Sequence, residues 1–143
     1  MSFLVKDVMN RNVITGTPDL TVKNAAEIMH NYRIGSLVIL ENNSLKGIVT
    51  ESNILKAVST GMDPEKTYIN ELMTTNVMTI GPDEIIENAI RMMMDYKIKK
   101  LPVVDGKKIV GIITSSDIIV IEPKMIESLA SMLSMNFSQA KSG

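Results

Sequence analysis

Asp7 to Leu55 can be laid over Glu71 to Ile119 at a constant spacing of 64 residues without a gap. The two stretches coincide at Met9/Met73, Asn12/Asn76, Thr15/Thr79, Pro18/Pro82, Asp19/Asp83, Ala25/Ala89, Met29/Met93, Tyr32/Tyr96, Gly47/Gly111, Thr50/Thr114 and Ser52/Ser116, among others. Roughly a third of the positions match, where unrelated segments of average composition agree at about one in sixteen. A duplication constrains the fold more than any composition does, because each copy must adopt the same structure. One copy alone is too short to bury an adequate core, so it is expected to pack on its twin, and the cleft between copies is the first place to expect a ligand.

The local pattern inside the copies is alike. Val13-Ile14-Thr15 and Val77-Met78-Thr79-Ile80 are β-prone runs ending at Pro18-Asp19 and Pro82-Asp83, where proline starts a turn or helix and Asp is expected to cap it. Val22, Ala25, Ala26 and Met29, and equally Ile86, Ala89, Ile90 and Met93, repeat at i, i+3, i+4, i+7, the stripe of a helix lying on a sheet. Ser36 to Leu40 and Leu101 to Val104 read as buried strands, each turned by a polar segment into a partner strand, Lys46 to Thr50 or Ile109 to Thr114. A second helix begins near Ser52 and Ser116. Each copy is therefore strand, helix, strand, strand, helix, and Gly61-Met62-Asp63-Pro64-Glu65 links the two. Beyond Pro123, the apolar positions Ile126, Leu129, Ala130 and Leu133 predict a further helix that closes the core, the alternative being that it docks a partner.

Composition narrows function mostly by exclusion. A net charge of −1 provides no global attraction to nucleic acid or acidic membranes, and with no Trp, 3 Tyr and 2 Phe there is little to stack on bases. The absence of Cys removes disulfides, thiolate catalysis and Cys-ligated metals, and fits a reducing cytosol. No apolar signal core opens the chain and no uncharged run approaches a membrane span, so the reading is a soluble, cytoplasmic protein. His30, the single histidine, reads as a surface residue, and no P-loop, nucleophile elbow or G-x-G-x-x-G is present. Of the twelve methionines, those at 29, 92, 93 and 94 read as core filler on amphipathic helices.

One polar motif recurs: Gly47-Ile48-Val49-Thr50-Glu51-Ser52-Asn53 against Gly111-Ile112-Ile113-Thr114-Ser115-Ser116-Asp117. A hydroxyl leaving a strand, with a carboxylate or amide three residues on at a helix start, suits helix capping. It equally suits a ligand, since a carboxylate there can accept both vicinal hydroxyls of a ribose. Lys97, Lys99, Lys100, Lys107 and Lys108 add positive charge to the second copy, suited to phosphate.

Together, Leu4 to Met9, Val13 to Asp19, Leu101-Pro102-Val103-Val104-Asp105 and the two G-h-h-T-x-S-[D/N] segments, h being apolar, resemble a tandem of cystathionine β-synthase (CBS) domains, the adenosine-sensing pair called a Bateman module. The resemblance implies a mixed α/β (α+β) fold of two β-α-β-β-α units paired about a pseudo-twofold axis. Residues 1–60 would be the first unit, 61–68 a linker, 69–122 the second unit and 123–143 a C-terminal helix and tail. It implies two clefts, each drawing on both copies. One would use Thr17, Val22, Ile34, Gly35 and Ser36 with Lys99, Lys100, Ile112, Thr114 and Asp117: Asp117 on the ribose, Thr114 on the sugar or phosphate edge, Ile34 and Val22 about the adenine, the lysines near phosphates. The other would use Ile48, Thr50 and Asn53 with Gly81, Ile86, Ile98 and Lys99. There Asn53 replaces the usual Asp and is the weaker acceptor. The implied function is a non-catalytic sensor of adenine nucleotides (AMP, ADP or ATP), homodimeric and signalling to an unknown effector protein. S-adenosylmethionine, a sulfonium, suits the lysines less well. A nucleic-acid-binding CBS protein and a ligand-free dimerisation scaffold are the alternatives.

Overall fold

A computed structural model describes residues 3–121 and 130–134. Its elements are α1 (Val5–Val8), β1 (Thr15–Gly16), α2 (Val22–Tyr32), β2 (Ser36–Glu41), β3 (Ser44–Thr50), α3 (Glu51–Ser59), a 3₁₀ turn (Ile69–Glu71), α4 (Ile86–Tyr96), β4 (Lys100–Asp105), β5 (Lys108–Thr114) and α5 (Ser115–Ile119). This is a mixed α/β architecture with two small sheets, ordered β1-β2-β3 and β4-β5. The chain gathers into two compact units whose boundaries are not those of the repeats. One comprises the described residues of Met1–Asn12, Met78–Gly106 and Val110–Gly143; the other comprises Val13–Val77 with Lys107–Ile109.

In the first-repeat unit, β1 runs parallel to β2 (Thr15↔Val38), and β2 is antiparallel to β3 (Ser36↔Thr50, Val38↔Ile48) with a register shift at Ile39/Leu40. Asn42 and Asn43 make the β2–β3 turn with φ of 52° and 62°. Asparagine tolerates this left-handed region better than other non-glycine residues, and the backbone twist of such a turn suits a hairpin. Helix α2 buries Val22, Ala25 and Met29 of the predicted stripe against Leu37, Ile39, Val49 and Ile69, and leaves Ala26 half-buried. The second-repeat unit repeats the scheme: Ile86, Ala89, Ile90 and Met93 of α4 meet Leu101, Val103, Ile113 and Ile118. Both α2 and α4 end on a basic residue in the left-handed conformation, Arg33 at φ 55° and Lys97 at φ 56°.

The segment preceding each repeat closes the other repeat's core. Leu4 and Ile85 form an antiparallel bridge, as do Asn10 and Ile112. Val5 N–H donates to Glu84 O (2.8 Å), Lys6 N–H to Pro82 O (2.9 Å) and Ile86 N–H to Phe3 O (3.0 Å), while Val5 and Met9 are buried among α4, β4 and β5 residues. Thr67–Thr74 does the same for the first repeat: Thr21 bridges Tyr68, Ile48 bridges Thr74, and Ile69 is buried beside α2. The short turns inside these arms are capped alike. Asp7 accepts from Leu4 N–H at 3.0 Å, and Glu71, one repeat later, from Tyr68 N–H at 2.9 Å.

Three local expectations are corrected. The strand expected at Val13–Thr15 is shifted to Thr15–Gly16, and its counterpart at Val77–Ile80 shrinks to one parallel bridge, Ile80↔Val103. Asp19 and Asp83 do not cap the helices. Thr21 caps α2 by accepting from Asn24 N–H at 3.1 Å, and α4 has no side-chain cap. Asp19 instead accepts from the Thr17 hydroxyl, and Asp83 pairs with Lys6 at 3.0 Å. The turn at Pro18-Asp19 ends before the helix begins, which leaves both aspartates too early in the chain to reach its first amides. Of the predicted C-terminal helix, residues 130–134 are helical and bring Met132 into the second-repeat core; Ile126 and Leu129 lie outside the described residues.

Candidate functional site

The recurring polar motif forms the same device twice. In the first-repeat unit Thr50 closes β3 and caps α3: its hydroxyl accepts from Asn53 N–H at 3.2 Å, and Asn53 Oδ1 accepts from Thr50 N–H at 2.9 Å. The Thr50 hydroxyl also donates to Asn53 Oδ1 at 3.0 Å. In the second-repeat unit Thr114 Oγ1 accepts from Asp117 N–H, and Asp117 Oδ2 accepts from Thr114 N–H, both at 3.1 Å. This reciprocal arrangement satisfies two otherwise orphaned backbone donors, so capping is one role of the motif in both copies.

The two caps differ in what they leave available. Asn53 spends its one acceptor oxygen on Thr50 twice over. Among the described residues, Asp117 engages one carboxylate oxygen in the cap, and the Thr114 hydroxyl acts there as an acceptor. Both residues are half-buried, where a hydrogen bond to a charged acceptor gains from reduced solvent competition.

A backbone bond ties each cap to the strand entering the sheet. Ser115 N–H donates to Lys99 O at 2.9 Å, and Glu51 N–H to Gly35 O at 3.1 Å. Lys99, Thr114 and Asp117 are therefore brought together in the second-repeat unit, with Gly81, Ile98, Lys100 and Ile112 elsewhere in it. Thr17, Ile34, Gly35, Ser36, Ile48, Thr50 and Asn53 lie in the first-repeat unit. Ile48 and Ile112 share a further role, since each exchanges two backbone hydrogen bonds with an arm, at Thr74 and Asn10 respectively.

Val22, expected beside bound adenine, and Ile86, expected in the other cleft, are both buried. They are 1% and 0% exposed, at the first turns of α2 and α4, with side chains committed to their units' cores. The periodic stripe that predicted each helix already required this, because the same side chain cannot face both the sheet and a solvent-filled cleft. Ile34 and Ile98 are only half-buried and retain apolar surface.

Sequence reasoning passed over a groove in the first-repeat unit of about 860 Å³ between the end of α2 and the length of α3, lined by Met29, His30, Arg33, Ile34, Ile54, Leu55 and Val58. The signal was present in Leu55 and Val58, apolar residues on the outward side of a short helix. No group of three or more His, Cys, Asp or Glu able to hold a metal occurs among the described residues, and no described helix is long and apolar enough to cross a membrane.

Known proteins place this geometry. The chain is 36% identical to the crystallised CBS domain pair of protein MJ0100 in complex with 5′-methylthioadenosine and S-adenosyl-L-methionine, covering 83% of this chain and 94% of that one with a TM-score of 0.75. It is 33% identical over 117 residues to the CBS domain-containing protein YhcV of Bacillus subtilis, 81% of this chain and 83% of that protein. It is 38% identical over 117 residues to L-aspartate semialdehyde sulfurtransferase of Methanocaldococcus jannaschii, where the match spans 80% of this chain but only 22% of the enzyme. The CBS domain family matches residues 5–60 and again residues 69–123, the two copies that the 64-residue spacing sets side by side, and the chain belongs to that family.

Proposed function

We propose that the chain is a regulatory module that binds an adenine nucleotide, AMP, ADP or ATP, catalyses no reaction and passes the occupancy signal to another protein. The observation that carries this reading is the Thr114–Asp117 cap, which sets a carboxylate and a hydroxyl at the mouth of a helix. A ribose diol offers two donors that match such an acceptor. Ile112, on the strand that ends in this cap, would lie against the nucleoside. The lysines at 99 and 100 favour a ligand carrying phosphate. At the equivalent Thr50–Asn53 cap of the first-repeat unit, beside Ile48, the committed amide oxygen of Asn53 supports weaker binding.

A second reading has a specific observation behind it. The MJ0100 domain pair holds adenosyl ligands without phosphate, 5′-methylthioadenosine and S-adenosyl-L-methionine. That relationship supports an adenosyl compound here, and it sets the sulfur-bearing ligands against the phosphate preference drawn from the lysines. We further propose a cytoplasmic homodimer.

Calorimetric titration of the purified chain with AMP, ATP, S-adenosylmethionine and methylthioadenosine tests these readings together. The proposal expects the phosphorylated ligands to bind most tightly and Asp117→Ala to abolish most of that binding. Tighter binding of S-adenosylmethionine would replace the nucleotide by the adenosyl ligand. No binding of any of the four would leave a ligand-free scaffold.

A further inference from the structure

The duplication provides an internal control for what the acidic turn before each long helix holds. Asp19 and Asp83 are equivalent, 64 residues apart, and each is met by an arm, with Asn70 standing in one copy where Lys6 stands in the other. The backbone frame is the same in both. Val5 N–H donates to Glu84 O at 2.8 Å and Lys6 N–H to Pro82 O at 2.9 Å, while Ile69 N–H donates to Leu20 O at 2.8 Å and Asn70 N–H to Pro18 O at 3.2 Å. What differs is the side chain. In the second-repeat unit the Lys6 ammonium lies 3.0 Å from Asp83 Oδ1. In the first-repeat unit Asn70 is shorter and uncharged, and among the described residues Asp19 accepts from the Thr17 hydroxyl and pairs with no cation.

The place that the Lys6 side chain takes in its own unit is open in the twin. Thr17, Asp19, Glu41, Asn42, Tyr68 and Asn70 line a depression there of about 740 Å³. Glu41 adds a second carboxylate, with Lys46 no nearer than 3.7 Å, and the exposed Tyr68 adds an aromatic ring. Two carboxylates beside an aromatic ring suit an organic ammonium, which is attracted by the charges and by the ring face alike. They suit a metal ion less, since no group of three His, Cys, Asp or Glu gathers among the described residues.

We propose that this depression binds the primary ammonium of a small alkyl amine, with Asp19 holding it as Asp83 holds Lys6, and that the second ammonium of a diamine reaches Glu41. The site is separate from the Thr50–Asn53 cap. Glu41 closes β2 at the end opposite Ser36, and Ser36 is the residue that pairs with Thr50. Amine binding therefore requires no nucleotide and does not rest on the nucleotide reading.

Cadaverine, titrated into the full-length chain without nucleotide, is the probe, with pentanediol as the uncharged control and sodium chloride at matched ionic strength as the control for screening. Amide NMR signals of Asp19, Glu41, Tyr68 and Asn70 should shift saturably with cadaverine alone. Asp19→Asn should weaken the amine by about tenfold, the loss expected for one charged acceptor. Asn70→Lys, which rebuilds the ion pair of the twin unit, should abolish binding, and Asp83→Asn should leave it unchanged. No saturable shift, shifts that sodium chloride or pentanediol reproduces, or binding that survives Asn70→Lys would each overturn the proposal.

Discussion

Met9 fills the space that a side chain on Gly111 would need: its sulfur lies 2.5 Å from the position of a Cβ built on that glycine, and Asn10 O lies 3.0 Å from it. One repeat earlier Gly47 stands in the same relation to Met73, whose sulfur is 2.9 Å away, and to Thr74 O at 2.7 Å. The two glycines let each arm lie directly on the strand it pairs with. Gly111→Ala and Gly47→Ala should each destabilise by about 1 to 3 kcal/mol through overpacking. Gly47→Ala should be the worse, because the nearest obstacle is a backbone carbonyl held by its bond to Ile48, whereas the Met9 thioether can swing aside. Urea denaturation measures both. A Met9→Ala/Gly111→Ala double variant should cost less than the sum of the singles, since truncating Met9 makes the room the new methyl needs.

The arms also predict which half of the molecule depends on the N-terminus. Val5 is fully buried among second-repeat residues, so Val5→Asp places an unpaired charge in that core. Hydrogen exchange should then accelerate at Ile86 and Ile112, whose amides donate to Phe3 and Asn10, and change little at Ile48 and Val22, which belong to the other unit. Uniform acceleration across both units would mean that they unfold as one.

How much of this was legible in the sequence follows from how local each signal is. The stripe Ile86, Ala89, Ile90 and Met93 predicted α4 because its periodicity lies within the helix itself, and all four are buried. The Thr114–Asp117 pair was legible for the same reason, being a contact between residues three apart. The arms were not: Val5 and Ile86 are separated by more than one repeat, and no local pattern in Phe3–Asn10 says which repeat it will join. Val22 and Ile86 were assigned to clefts by resemblance although their own periodicity placed them in the core. Asp19 resembled a cap by residue type, yet the cap is Thr21, because the turn at Pro18-Asp19 consumes two residues before the helix starts.

Helix termini offer a stability test of opposite sign. Arg33 and Lys97 adopt φ of 55° and 56° at the ends of α2 and α4, a conformation that costs an ordinary L-residue about 1 to 2 kcal/mol. Glycine avoids that cost but loses more chain entropy on folding, about 0.5 to 1 kcal/mol. Arg33→Gly and Lys97→Gly should therefore each raise stability by a few tenths to about 1 kcal/mol, read as a higher denaturation midpoint at constant slope. A fall in the midpoint would show that the basic side chain contributes more than the backbone strain removes.

The lysines decide between phosphate and sulfonium ligands. Replacing Lys99 and Lys100 together by Gln should weaken AMP and ATP, leave adenosine nearly unchanged, and flatten the salt dependence of nucleotide binding, because screening acts on charges near the surface. An improvement in S-adenosylmethionine binding in the same variant would fit removal of like charge. Equal AMP affinity before and after would show that neither lysine meets the phosphate.

Self-association should use the second-repeat helices. Met94 and Tyr96 of α4 and Val120 just beyond α5 are exposed, Val120 by 82%, and they sit in one unit close to where the described chain leaves the repeat. Exposed large apolar residues on helices of one unit are the material of a twofold, self-complementary contact, the commonest form of homo-oligomer. Light scattering across a range of concentrations should give the mass of a dimer, and Val120→Asp should lower it toward that of one chain by placing a charge in the interface of each copy. A monomeric mass for the parent chain at every concentration would remove the dimer and leave Val120 as an unexplained exposed residue.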